Sequence, residues 1–193
     1  MRNFYLVLLS ASIFLSACKK DAPQASLPRI SQEGLDTGGF LVDGVAYPAT
    51  GWSGPFLSMA GSSSALEGGY AFSIPGFPVK PEYELRINSK QAEQYVTVTL
   101  FLRNPAVGEF ALNHTINLPQ TAADSVIFDH ATLSFRSGKG EIYTTSAVHT
   151  GRILMSRVSR PTVAAGTFEF TAVSNLDPTK IVRVTAGRFD RRQ

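Results

Sequence analysis

The chain has 193 residues, 44% hydrophobic and 17% charged, with a formal net charge of +3. Its single cysteine excludes an internal disulfide framework, so stability has to come from packing and hydrogen bonds. The small net charge, without aromatic and basic residues interleaved in a known module, argues against a nucleic-acid partner.

The N-terminus reads as an address. Met1-Arg2-Asn3 carries one positive charge, and Phe4 to Leu15 is a near-continuous apolar run of 12 residues. That length suits a signal-peptide core and falls short of the roughly 20 residues that a membrane-spanning helix needs. Leu15-Ser16-Ala17-Cys18 resembles the lipobox of bacterial lipoproteins, with small residues ahead of the cysteine. The resemblance implies cleavage before Cys18, a thioether-linked diacylglycerol on its Sγ and an N-acyl chain such as palmitate. Two or three acyl chains hold a protein stably on a membrane, where one does so marginally. Lys19 occupies the position where Asp retains such proteins at the inner membrane in enterobacteria. The expected location is therefore the outer membrane, facing either the cell surface or the periplasm.

Residues 1–17 are thus expected as signal peptide and 18–39 as lipidated cysteine plus flexible tether, with an all-β domain over 40–193. The tether is rich in Pro, Gly, Ser and charge and lacks apolar periodicity, a composition that does not offset the entropy of ordering. Charge is uneven beyond it. Residues 18–135 carry 7 basic and 11 acidic side chains, and residues 136–193 carry 10 basic and 4 acidic. Complementary surface charge explains this most simply. A basic face for an anionic glycan or lipid headgroup is the sharper reading.

Strand signals then follow almost without break. Phe40 to Tyr47 holds Asp43-Gly44 between apolar pairs, the signature of a type I′ hairpin. Residues 60–69 read as a flexible loop, followed by a short strand over 70–74. Residues 82–88 alternate, with Tyr83, Leu85 and Ile87 on one side, and residues 95–103 place Val96, Val98, Leu100 and Leu102 on one face. Residues 108–112 form a short strand, and residues 120–129 are the one helix candidate, with a loop as the alternative. Ala131, Leu133 and Phe135 point inward from the next strand, and a further strand is expected over 142–145. Residues 148–158 read as a strand with Gly151 as an internal bulge. Residues 166–173 turn Phe168, Phe170 and Ala172 inward. Residues 181–190 turn Val182, Val184 and Ala186 inward, with Gly187 shifting parity so that Phe189 also faces in. Many short strands with Gly/Pro turns predict a single antiparallel β-sandwich or barrel-like sandwich.

The C-terminal hairpin carries a distinctive pattern. Gly166-Thr167-Phe168-Glu169-Phe170 followed by Thr185-Ala186-Gly187-Arg188-Phe189-Asp190 resembles the closing signature of a family of uncharacterised Bacteroidota envelope lipoproteins. Val42-Asp43-Gly44, Trp52 and Gly108-Glu109-Phe110-Ala111-Leu112 are similar to earlier features of that family. Ala186 stands where Asn is common in it. The resemblance implies a lipid-anchored all-β domain without an assigned activity, its motif residues serving architecture.

Little in the sequence asks for catalysis. His114, His130 and His149 lack metal-ligand spacing, so no metal or other cofactor is expected. Gly51-Trp52-Ser53-Gly54 is one residue short of a nucleophile elbow. Glu82 and Glu84 share a strand face, an arrangement typical of a solvated surface. Tyr47, Trp52, Phe56 and Phe77 are the candidate ligand platform, on which a sugar would stack, or alternatively a plug for one end of the sandwich. The expected protein is a non-enzymatic binding or structural lipoprotein whose partners are the membrane and a glycan, peptide or envelope protein. A lipocalin-like carrier of a small apolar ligand and a hydrolase with an unrecognised site are the alternatives.

Overall fold

A computed structural model describes residues 26–52, 62–70, 83–91, 94–115, 129–136, 140–159 and 162–193. Nearly all of the helix candidate, positions 71–74 of the strand expected over 70–74, and Cys18 with its signal peptide lie outside the described residues. Among the described residues the chain forms eleven strands: β1 (Thr37–Val42), β2 (Val45–Pro48), β3 (Leu66–Tyr70), β4 (Tyr83–Gln91), β5 (Gln94–Leu102), β6 (Gly108–Leu112), β7 (His130–Phe135), β8 (Ile142–Thr144), β9 (Gly151–Ser159), β10 (Val163–Ser174) and β11 (Ile181–Arg192). All pairings between these strands are antiparallel. The sheet curls into a half-barrel, a barrel-like sandwich of the expected class.

The sheet forks at β10. One edge of this twelve-residue strand pairs with β11. Its other edge holds β9 along Val163 to Phe170 and β8 at Val173 and Ser174. One arm continues to β9 and β6, and the other runs β8-β7-β5-β4-β3. The free ends of the path approach each other. Leu66 of β3 packs beside Gly38 of β1, and the side chain of Gln193, just past β11, lies against Gly69 of β3. Asn88 secures this seam. Its carbonyl accepts from Thr50 and Gly51, its N–H donates to Ala65, and its side chain joins the Ser64 carbonyl to the Thr97 hydroxyl.

The alternation expected from the sequence builds the core. Tyr83, Leu85, Ile87, Val96, Val98, Leu100, Leu102 and Leu133 are all fully buried. The Asp43-Gly44 turn has positive φ at both residues, 47° and 86°, as a type I′ turn demands. The C-terminal hairpin explains its own motif. Gly166 lies directly opposite Phe189, and Phe168 directly opposite Gly187. The Phe168 ring covers Gly187, and the Phe189 ring lies about 3.1 Å from where a Cβ on Gly166 would sit. Each glycine thus leaves the space that the facing phenylalanine fills, and both rings are almost completely buried.

Four sequence expectations need correction. Residues 66–69 are strand, not loop: Gly68 and Gly69 adopt positive φ within β3, and a side chain at Gly68 would strike the Glu84 carbonyl, so glycine here serves close approach of two strands. Residues 148–150 lie outside β9, which Gly151 opens, and the bulge of β9 falls instead at Ser156, the extra residue between Met155 opposite Gly166 and Arg157 opposite Ala165. Ala186 faces outward rather than in, because the parity slips at Ala186 and not at Gly187. It has φ of 51°, and β11 carries one extra residue there against both β1 and β10. The tether ends earlier than residue 39, since β1 starts at Thr37 and the preceding residues dock on the domain.

An alanine at the left-handed bulge position is under strain, since L-residues pay roughly 1–2 kcal/mol there. Ala186→Gly is expected to stabilise the fold by about 0.5–1 kcal/mol in urea denaturation, and Ala186→Asn to gain less. Gly187→Ala is expected to destabilise by about 2–3 kcal/mol, because the added methyl meets the Phe168 ring. A stability unchanged by both substitutions would contradict this account of the bulge.

Candidate functional site

The proposed aromatic platform divides. Tyr47 belongs to the interior: it is 6% exposed, its ring stacks on Phe40 at 5.9 Å, and its hydroxyl donates to Gln94 Oε1 at 3.2 Å. Burial, with the nearby Asp43 charge, pushes its phenol up. Tyr47 is therefore no platform residue. β2 sets Tyr47 directly opposite Phe40 of β1, on the face that Phe40 and Val42 turn into the core. Phe56 and Phe77 lie outside the described residues.

Trp52 is different. It follows β2, is held by a two-way backbone bridge to Ser63, and sets its ring edge-on against Tyr95 at 5.1 Å. Tyr95 is an outward residue of β5, flanked by two cations. Lys90 Nζ lies 5.1 Å from its ring centre, and the Arg136 guanidinium carbon 5.8 Å. Beside them an open groove of about 460 Å³ is lined by Trp52, Phe135, Arg136, Glu141 and Ile142, with Thr97 and Ser134 supplying hydroxyls. Glu141 is tied down. The hydrogen bond from Ser174 does most to hold its carboxyl below the ordinary glutamate range, against an opposing effect of burial, and Lys180 adds to the lowering. The groove thus offers an aromatic wall, two nearby cations and hydroxyls. The sequence pointed to Trp52 and missed Tyr95, because Tyr95 sits on the polar parity of an alternating strand. Its signal was an aromatic in a place where a small polar residue was expected.

The histidines do not converge on a metal. His130 is buried in β7 with its ring stacked on Phe101 at 4.3 Å, while His114 and His149 sit in connections. Among the described residues no group of three or more His, Cys, Asp or Glu is placed to hold a metal ion. Glu82 lies outside the described residues, and Glu84 forms a surface ion pair with Arg86 at 2.6 Å. On the outer face of the β6-β9-β10 arm, Arg152 bridges Glu169 at 2.9 Å and Glu109 at 3.7 Å, all three well exposed. Exposed pairs of this kind contribute little to stability.

The most elaborately bonded group is Asp190, which the sequence showed only as the last letter of a motif. Its residue is 2% exposed. The carboxylate accepts from the Ser31 hydroxyl and from three successive backbone N–H groups: Glu33 at 3.0 Å, Gly34 at 2.7 Å and Leu35 at 3.2 Å. Arg188 donates to the Pro28 carbonyl at 3.2 Å, Arg157 to the Gln32 carbonyl, and Arg191 pairs with Asp36 at 2.8 Å. Residues 28–36 therefore form a strap across the outer face of β11, β10 and β9. Polar bonds hold it there, which is how a segment of polar composition becomes ordered.

No family model, curated protein or solved structure matches this chain.

Burial acts to raise the Asp190 pKa, but the Ser31 hydroxyl and the three backbone donors outweigh it, so the folded-state value lies below the ordinary aspartate range. A carboxyl whose folded pKa is depressed stabilises the fold above its unfolded value of about 3.9 and loses that contribution as pH falls through the folded value. Stability should therefore decline on the acid side below about pH 5. Asp190→Asn is expected to cost about 2–3 kcal/mol at neutral pH and to flatten the acid decline. Urea denaturation across pH 3–7 measures both.

Proposed function

We propose that this chain is a lipid-anchored envelope lipoprotein whose β-domain binds a glycan non-enzymatically through the groove lined by Trp52, Phe135 and Arg136, with Tyr95 bracing Trp52 beside it. The observation that carries the binding reading is an open groove lined by Trp52 and Arg136, with Tyr95 and Lys90 packed beside them. A ring face suits the apolar face of a sugar, hydroxyls suit its polar rim, and the two cations favour a sugar bearing carboxylate or sulfate. The anchoring reading rests on the apolar segment ending in Leu15-Ser16-Ala17-Cys18. The carrier alternative draws less support, because Phe40, Leu85, Ile87, Leu100 and Leu133 are packed to zero exposure inside the half-barrel, where a lipocalin keeps its ligand.

Two experiments test the two halves of this proposal. Trp52 is the only tryptophan, so its intrinsic fluorescence reports occupancy of the groove directly. Titration with uronic-acid oligosaccharides should shift its emission, and Tyr95→Ala should weaken binding about tenfold or more. An array of acidic and neutral glycans that leaves the emission unmoved would remove the binding reading. For the anchor, Cys18→Ala should release the folded chain from the membrane fraction and abolish its acyl mass. Membrane retention of that variant would overturn lipid attachment at Cys18.

A further inference from the structure

The strap gives the domain a defined end nearest its anchor. Given the lipid anchor proposed above, on which this inference rests, residues 19–25 join the lipidated cysteine to Ser26. Whatever their path, they let the anchor reach at most about 28 Å from Ser26. The strap itself is fixed to the folded domain by Asp190, Arg157 and Arg188, so the anchor cannot swing freely around the molecule.

The surface at this end is both basic and apolar. Glu33 pairs with Arg29, Asp36 pairs with Arg191, and the Asp190 carboxylate is enclosed by its strap donors. Arg157, Arg188 and Arg192 have no carboxylate partner among the described residues, and with Arg152 set between Glu109 and Glu169 the six arginines and five carboxylates around the strap leave a small positive balance. Ile30 on the strap and Leu154 on β9 are 60% and 46% exposed, and they share one shallow depression with Arg188 and with the Arg152–Glu109–Glu169 cluster. Exposed aliphatic side chains among arginines suit a bilayer surface, where headgroup phosphates meet the cations and the apolar groups enter the headgroup–acyl boundary. We infer that the strap end of the domain rests on an anionic lipid surface, with Arg157, Arg188 and Arg192 against headgroup phosphates and Ile30 and Leu154 at the interface.

This contact is also separated from the groove. β10 starts at Val163 beside the strap and ends at Ser174, whose hydroxyl donates to Glu141 at the groove. Thr167, which faces Leu154 of β9 and Arg188 of β11, lies seven residues before Ser174, about 23 Å along the strand. A lipid contact at Leu154 and Arg188 therefore leaves the Trp52 groove clear of the bilayer contact along β10.

The acylated chain reconstituted in phosphatidylethanolamine–phosphatidylglycerol vesicles tests this. Cys18 is the only cysteine and is consumed by lipid, so Leu154→Cys and Leu176→Cys each carry one free thiol for a fluorophore. Leu176, 58% exposed, lies in the β10–β11 turn at the far end and serves as the control. Nitroxide-headgroup lipid should quench the label at 154 several-fold more than the label at 176. Arg192→Glu, or phosphatidylcholine in place of phosphatidylglycerol, should reduce that difference at least twofold. Equal quenching at the two positions, or none at 154 in a chain whose acyl mass is present, overturns the docking. A chain without the acyl mass overturns the anchor reading and this inference with it.

Discussion

The rest of the structure depends on one reciprocal packing arrangement. In the C-terminal hairpin, Phe168 lies over Gly187 while Phe189 lies over Gly166, two residues along the same ladder. Large and absent side chains alternate on facing strands, so two rings occupy a layer that four ordinary side chains would overfill. The rings lie 6.5 Å apart, and Phe170 continues the row at 6.3 Å from Phe168. Burying one such ring is worth roughly 1.5–3 kcal/mol, so this hairpin concentrates a large share of the core's stabilisation in a few residues. A one-residue shift of register would break these glycine–phenylalanine matches. The motif therefore fixes register as well as supplying core.

From that hairpin the sheet divides. β10 is long enough to hold β9 along one stretch of an edge and β8 along the next, and the two arms enclose the core between them. β11 carries its extra residue at Ala186, against both β1 and β10, which bends the strand and adds twist. The curl that brings β1 and β11 toward β3 and β4 needs such a local irregularity, since a regular strand distributes its twist evenly. Ala186 holds this bulge at positive φ, where Gly or Asn is tolerated better than Ala.

The sequence made legible whatever depended on neighbours along the chain. Period-two alternation located β4, β5, β7 and β10, and Asp43-Gly44 located a turn, because both signals are local. It misled where the controlling partner was remote. Gly68 and Gly69 resemble a linker until Glu84 is seen to press against Gly68 from β4. Residues 28–36 resemble a tether because nothing in their composition shows that Asp190, some 156 residues away, supplies the missing acceptor. Tyr47 and Trp52 lie five residues apart and read in sequence as one surface, yet strand pleating sends Tyr47 inward while the chain leaves the strand before Trp52. Pairing Trp52 with Tyr95 required the fold, since the two meet only once Thr50 and Gly51 bond to Asn88 of β4.

Asp190 and the glycine–phenylalanine pairs share one stretch of β11, with Gly187 and Phe189 on one side of the strand and Asp190 on the other. Phe189 faces the core, and Asp190 faces out to the strap. A single short sequence thus joins interior packing on one face to capture of the N-terminal segment on the other. Release of the strap would expose a carboxylate to water but uncover no core ring, because Phe168 and Phe189 lie on the opposite side of the sheet. Conversely, loosening the hairpin would disturb both at once. The strap is therefore the subordinate element: it can be added to or removed from a folded half-barrel, whereas the half-barrel cannot lose this hairpin and keep its fork. That ordering explains how a segment so polar can dock on the domain, and fix where its N-terminal end emerges, without contributing to the core.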